Sequence, residues 1–106
     1  MVNAVFEDQW TDARGNPAGG ISEGRGFVIS WQNGPLGRGS DRKPQNGAFV
    51  ETVIDAARLR LEFYQRSKFK CDENAAAIEH LELALAVLNK RTAAREERQV
   101  EGTHAV

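Results

Sequence analysis

The chain has 106 residues, which is room for one domain, and a domain of that size leaves a thin core unless it associates with further copies. Its formal net charge of −1 argues against a nucleic-acid polymer held by bulk positive charge, so the 14 Lys and Arg residues must be read by position. The single cysteine, Cys71, excludes an internal disulfide, and nothing around it has metal-ligand spacing.

The opening MVNAVFEDQW carries acids and no basic region, so no secretory signal is expected, and no apolar run reaches the length of a membrane span. A protein of the cytoplasm is the expectation. Pro17, Pro35, Pro44 and every glycine except Gly47 and Gly102 precede residue 47. This divides the domain into a strand-and-loop part over about 1–47 and a helical hairpin with a tail over about 48–106. Ala4 to Phe6 and Phe27 to Trp31 read as strands, the second placing Phe27, Ile29 and Trp31 on one face. The polar, glycine-rich stretch Asp12 to Gly24 reads as a mobile loop. A second loop, Gly37 to Gly47, carries Arg38, Arg42 and Lys43.

A first helix is predicted from about Ala48 to Ser67. Val50, Val53 or Ile54, Ala57, Leu61 and Tyr64 form its apolar stripe, and Phe49, Ala56 and Phe63 a second row. The link Lys68 to Cys71 is short enough to force an antiparallel hairpin, and Asp72 reads as a cap or first-turn acid. The second helix, about Glu73 to Arg98, carries Asn74, Ile78, Leu81, Leu85, Leu88, Thr92 and Arg95 at heptad spacing. A helix that long should project or pack against another chain. The architecture is therefore α+β: a small N-terminal antiparallel sheet, then a long two-helix hairpin.

The candidate binding groups lie at the ends of this hairpin. Tyr64 is either a rim aromatic or a platform for a nucleobase, where stacking contributes roughly 1–3 kcal/mol. Asn74 is either a local backbone partner or an amide that reads an adenine edge. Lys90, Arg91, Arg95 and Arg98 complement the helix dipole, yet Arg91 and Arg95 are four apart and share one side, as a pyrophosphate or phosphodiester requires. Asn74 and Arg91, 17 residues apart on one helix, are separated by about 25 Å. A single nucleotide-sized ligand reaches both only if the arginines come from a second chain packed antiparallel. Arg25 and Arg38 sit in glycine-flanked segments that are either ordinary turns or lids able to reach a phosphate. No Ser or Cys sits beside a base, and His80 and His104 stand without partners in the sequence, so no catalytic residue is assigned.

Tyr64-Gln65, Phe69, Cys71, Glu73-Asn74-Ala75, Leu81-Glu82, Ala84-Leu85, Leu88 to Thr92, Arg95 and the tail Val100 to His104 together resemble the hairpin domain of phage anti-defence sponges. These are the first described Thoeris anti-defence family and its relative, the anti-CBASS cyclic-nucleotide sponges. The stretch Gly26 to Pro35 is similar to the N-terminal part of that family. The resemblance implies a non-enzymatic protein, without cofactor or metal, that holds cyclic ADP-ribose isomers uncleaved in the cytoplasm of the infected host. It also implies a dimer, or a trimer of dimers that takes cyclic di- and trinucleotides at separate sites. By the same resemblance Tyr64 takes the place of the base-stacking aromatic, usually Phe, Asn74 is the base-reading amide, and Arg91 and Arg95 hold phosphate. The alternative is an oligomeric helical module with no small ligand.

Overall fold

In the computed structural model, which describes residues 4–106, the first strand is longer than its apolar residues suggest. β1 runs Val5–Thr11, β2 Pro17–Gly24 and β3 Phe27–Trp31, in an antiparallel sheet of order β1-β2-β3. The expected loop at Asp12 to Gly24 is corrected here: only 12–16 is a turn, and Pro17–Gly24 is the central strand. Ala4 lies outside β1. Position in the middle of the sheet, not propensity, makes β2 a strand. Gly20 pairs with Gln9 on one side and Trp31 on the other, and Ser22 pairs with Glu7 and Ile29.

Ser22 is 3% exposed. Its hydroxyl accepts from Trp31 Nε1 at 2.7 Å and donates to Glu7 Oε1 at 2.8 Å, so one polar chain crosses all three strands. Phe27, Ile29 and Trp31 share a face as the alternation requires. The turn between β1 and β2 is closed by Asp12, whose Oδ1 accepts from the backbone N–H of Arg14 at 2.8 Å and of Asn16 at 3.0 Å. These bonds, the one from Asn16 foremost, hold the Asp12 carboxyl below its ordinary value of 3.8. A depressed carboxylate stabilises above the unfolded value and loses its contribution as pH falls through the folded one. Acidification below about pH 4 is therefore expected to release the Arg14 and Asn16 amides before the strands. Amide exchange by NMR checks this, with Asp12→Ala, which removes the acceptor, releasing them already at neutral pH.

After β3, Gln32 N–H donates to the Ala48 carbonyl at 3.0 Å and Ala48 N–H to the Ser30 carbonyl at 2.8 Å. The Gln32 side chain accepts from Asn46 and Gly47, and the Asn46 side chain pairs with the Asn33 backbone. These amides close the loop 33–46, which contains a 3-10 turn, Gly39–Asp41. The C-terminal tail belongs to this unit: residues 4–49 and Gln99–Val106 form one compact body and Val50–Arg98 another. Gly37 N–H donates to the Gly102 carbonyl at 2.7 Å, and His104 Nε2 lies 3.9 Å from Asp12 Oδ2. Gly102 has φ 84°, and a Cβ there would stand 2.5 Å from the Gly37 carbonyl oxygen, so only glycine fits this closure.

The second body is the helical hairpin, α1 Val50–Gln65 and α2 Asp72–Glu97. The heptad residues Ile78, Leu81, Leu85 and Leu88 are half-buried along the seam with α1, as are Val53, Ile54, Leu61 and Tyr64 on the facing helix. Val50, Ala57 and Thr92, expected on these stripes, are exposed, as is the second row at Ala56 and Phe63. Among the described residues no hydrophobic side chain is fully buried. Two packed helices have only one seam and leave their outer sides wet. No helix is long and apolar enough to cross a membrane.

Candidate ligand site on the hairpin

The hairpin turn is closed by Gln65. Its Nε2 donates to the Cys71 carbonyl and its Oε1 accepts from Cys71 N–H, both at 3.0 Å. This two-point clamp brings the end of α1 beside the start of α2. The N-terminal cap of α2 is Cys71, not Asp72: the thiol accepts from Asn74 N–H at 3.4 Å, while Asp72 and Glu73 are first-turn acids. A sulfur acceptor is a weak cap, and the two acids beside it supply the favourable interaction with the helix dipole.

Tyr64 and Asn74 both border this turn. The Tyr64 carbonyl accepts from Ser67 N–H at 3.0 Å, and Asn74 Nδ2 donates to the Phe69 carbonyl at 3.5 Å. Both residues are half-buried. The Tyr64 ring lies 6.1 Å from Phe63 at 53°, and the Arg60 guanidinium sits over both rings, 4.9 Å from the Tyr64 centroid and 5.0 Å from that of Phe63. Arg60 Nε donates to the Tyr64 hydroxyl at 3.2 Å. Phe69, 66% exposed, carries Lys68 Nζ 5.3 Å from its centroid. The closed end of the hairpin thus presents aromatic faces, an amide and cations together.

Arg91 and Arg95 lie at the other end of α2. That helix has 26 residues against 16 in α1, so its last turns run past the level at which α1 begins. Arg91 is exposed and Arg95 half-buried. The rise of a straight helix puts about 25 Å between the levels of Asn74 and Arg91. Within one chain the aromatic and amide candidates and the arginine candidates therefore stand at opposite ends of α2. Arg25 and Arg38 belong to the sheet body. Arg25 is exposed in the two-residue turn before β3, where Gly26 supplies the positive φ of 91°. Arg38 is half-buried and donates from Nη1 to the Glu101 carbonyl at 3.0 Å, which ties it to the tail.

Sequence reasoning missed Arg60 and Gln65. The signal for Arg60 was its placement three and four residues before Phe63 and Tyr64, the spacing at which helical side chains meet. Gln65 acts through the turn backbone and left no such pattern. Among the described residues no group of His, Cys, Asp and Glu is placed to hold a metal ion.

Residues 23–93 match the family described as the Acb2/Tad1 hairpin domain, a stretch that holds Arg25, Arg38, Tyr64, Asn74 and Arg91 and stops before Arg95. The chain is also 46% identical over 81 residues to Thoeris anti-defense 1 of Bacillus phage SBSphiJ7. That alignment takes in 76% of this chain and 54% of the relative, so the chain spans about half the length of the curated relative it matches. With the family match running from the end of β2 through α1 and most of α2, the chain belongs to the Acb2/Tad1 hairpin-domain family.

Proposed function

We propose that this protein is a non-catalytic sponge that sequesters a cyclic ADP-ribose isomer in the cytoplasm of an infected host and so blocks an anti-phage defence. Cyclic di- and trinucleotides are further candidate ligands. The observation that carries the reading is the family match across Tyr64, Asn74 and Arg91, together with an aromatic, an amide and a cation gathered at one hairpin end. Tyr64 stacks the base, Asn74 reads its edge, and Arg91 and Arg95 hold the phosphates. Arg25 and Arg38 are the candidates for a loop contribution.

The working unit is at least two chains, as a dimer or a trimer of dimers. Two features favour this: the half-sites are too far apart to meet in one chain, and the hairpin leaves Leu59, Phe63, Leu83 and Val87 at least half exposed. Incubation with a cyclic ADP-ribose isomer, removal of free ligand, denaturation and mass analysis should return the ligand unchanged. Recovery of a cleaved product would turn the assignment to an enzyme. The exposed apolar rows equally favour a second reading, an oligomeric helical module without a small ligand, and failure to retain any cyclic nucleotide would select it.

A further inference from the structure

We propose that Arg60 is an anion-binding residue of the Tyr64 half-site, so that each hairpin end supplies its own contact to a ligand phosphate. The inference rests on the sponge reading and adds a residue to it. Two arginines lie close together on α1, and their surroundings differ. Arg58 is neutralised by Asp55 at 2.7 Å and Glu62 at 3.2 Å, three residues before and four after it. Arg60 has Ala56, Ala57, Phe63 and Tyr64 at the corresponding positions and no carboxylate.

The Arg60 guanidinium is held by two ring faces and by the bond from Nε to the Tyr64 hydroxyl. Its Nη1 and Nη2 donors have no partner among the described residues. A stacked guanidinium with its fork unspent is pre-oriented for a bidentate oxyanion. The Tyr64 hydroxyl accepts from Arg60, so its own hydrogen is directed elsewhere, giving a second donor beside the fork. Arg60 also covers one face of the half-buried Tyr64 ring, so a base stacked on that ring would have to use its other face. Base and phosphate of one nucleotide are thereby received side by side, and a Phe at position 64 would lack the hydroxyl that fixes the arginine.

The test is titration of the full chain with a cyclic ADP-ribose isomer at several salt concentrations, comparing wild type with Arg60→Ala, Arg60→Gln and Arg60→Lys. Thermal melts establish that the variants fold, as expected at an exposed helical position. Loss of about tenfold or more in both Arg60→Ala and Arg60→Gln, a shallower salt dependence, and retention within about threefold in Arg60→Lys are the expected results. Unchanged affinity and salt dependence in Arg60→Gln, against a wild type that binds, overturns the role of Arg60 alone. A wild type that binds nothing overturns the sponge reading, and this inference with it.

Discussion

Replacing Arg91 and Arg95 together by alanine is expected to weaken capture of a cyclic ADP-ribose isomer by at least about a hundredfold while leaving the hairpin folded. Hydrogen bonds to a charged group contribute about 1.5–3 kcal/mol each, and about 1.4 kcal/mol is a tenfold change in affinity. Losing two guanidiniums therefore costs roughly 3–6 kcal/mol in the complex. Alanine is the better helix former, Arg91 is exposed and Arg95 stands beyond the last apolar residue of the heptad row, Leu88, so helicity by circular dichroism should not fall. The same geometry yields a sharper result. An Asn74→Ala chain and an Arg91→Ala, Arg95→Ala chain are each expected to fail alone. In a two-fold dimer whose sites take Asn74 from one protomer and the arginines from its partner, a mixed dimer keeps one intact site. Equimolar mixing should then restore about a quarter of wild-type sites. Sites built within one chain would give no restoration, and calorimetric stoichiometry distinguishes the two.

The hairpin could be read from the sequence because its signal is periodic. Ile78, Leu81, Leu85 and Leu88 repeat at heptad spacing, and the observed α2 begins one residue before the expected start and ends one before the expected finish. β2 could not be read this way. In PAGGISEG only Ile21 favours a strand by its side chain. The strand exists because it is paired on both edges and because its small residues admit neighbours: a Cβ at Gly19 would stand 2.8 Å from the Trp10 ring, and one at Gly20 would stand 2.6 Å from Gln9 Oε1. Those requirements belong to the sheet as a whole and leave no local pattern. Tyr64 and Asn74 lie at the same end of the hairpin because a short turn between two helices leaves few alternatives. The Cys71 cap escaped notice because a thiol is an uncommon acceptor there. The tail was harder still, since the bond from Gly37 to Gly102 joins residues far apart in the chain.

A pair of glutamates on the outer row of α2, Leu83→Glu with Val87→Glu, is expected to reduce the assembly to single chains and to abolish capture with it. Leu83 is 56% exposed and Val87 66%, one helical turn apart and off the seam that faces α1. Full burial of a Leu or Val side chain contributes about 1.5–3 kcal/mol, and a two-fold interface counts each residue twice. Carboxylates in their place would lose that burial and bring four like charges together without partners. The choice of this row follows from the ligand. If Asn74 of one protomer is to meet Arg91 of its partner, two antiparallel α2 helices must cross at the level midway between those residues, which falls at Glu82 and Leu83. The most exposed large apolar side chains of α2 thus stand within about one turn of the level at which the two-fold axis is required. Light scattering should report monomers for the double variant, with helicity kept by Ile78, Leu81, Leu85 and Leu88. Retention of both the assembled mass and the ligand would show that this row is solvated in the working protein. The exposed row of Leu59 and Phe63 on α1 would then be the face left to bring a second chain's arginines to Tyr64 and Asn74.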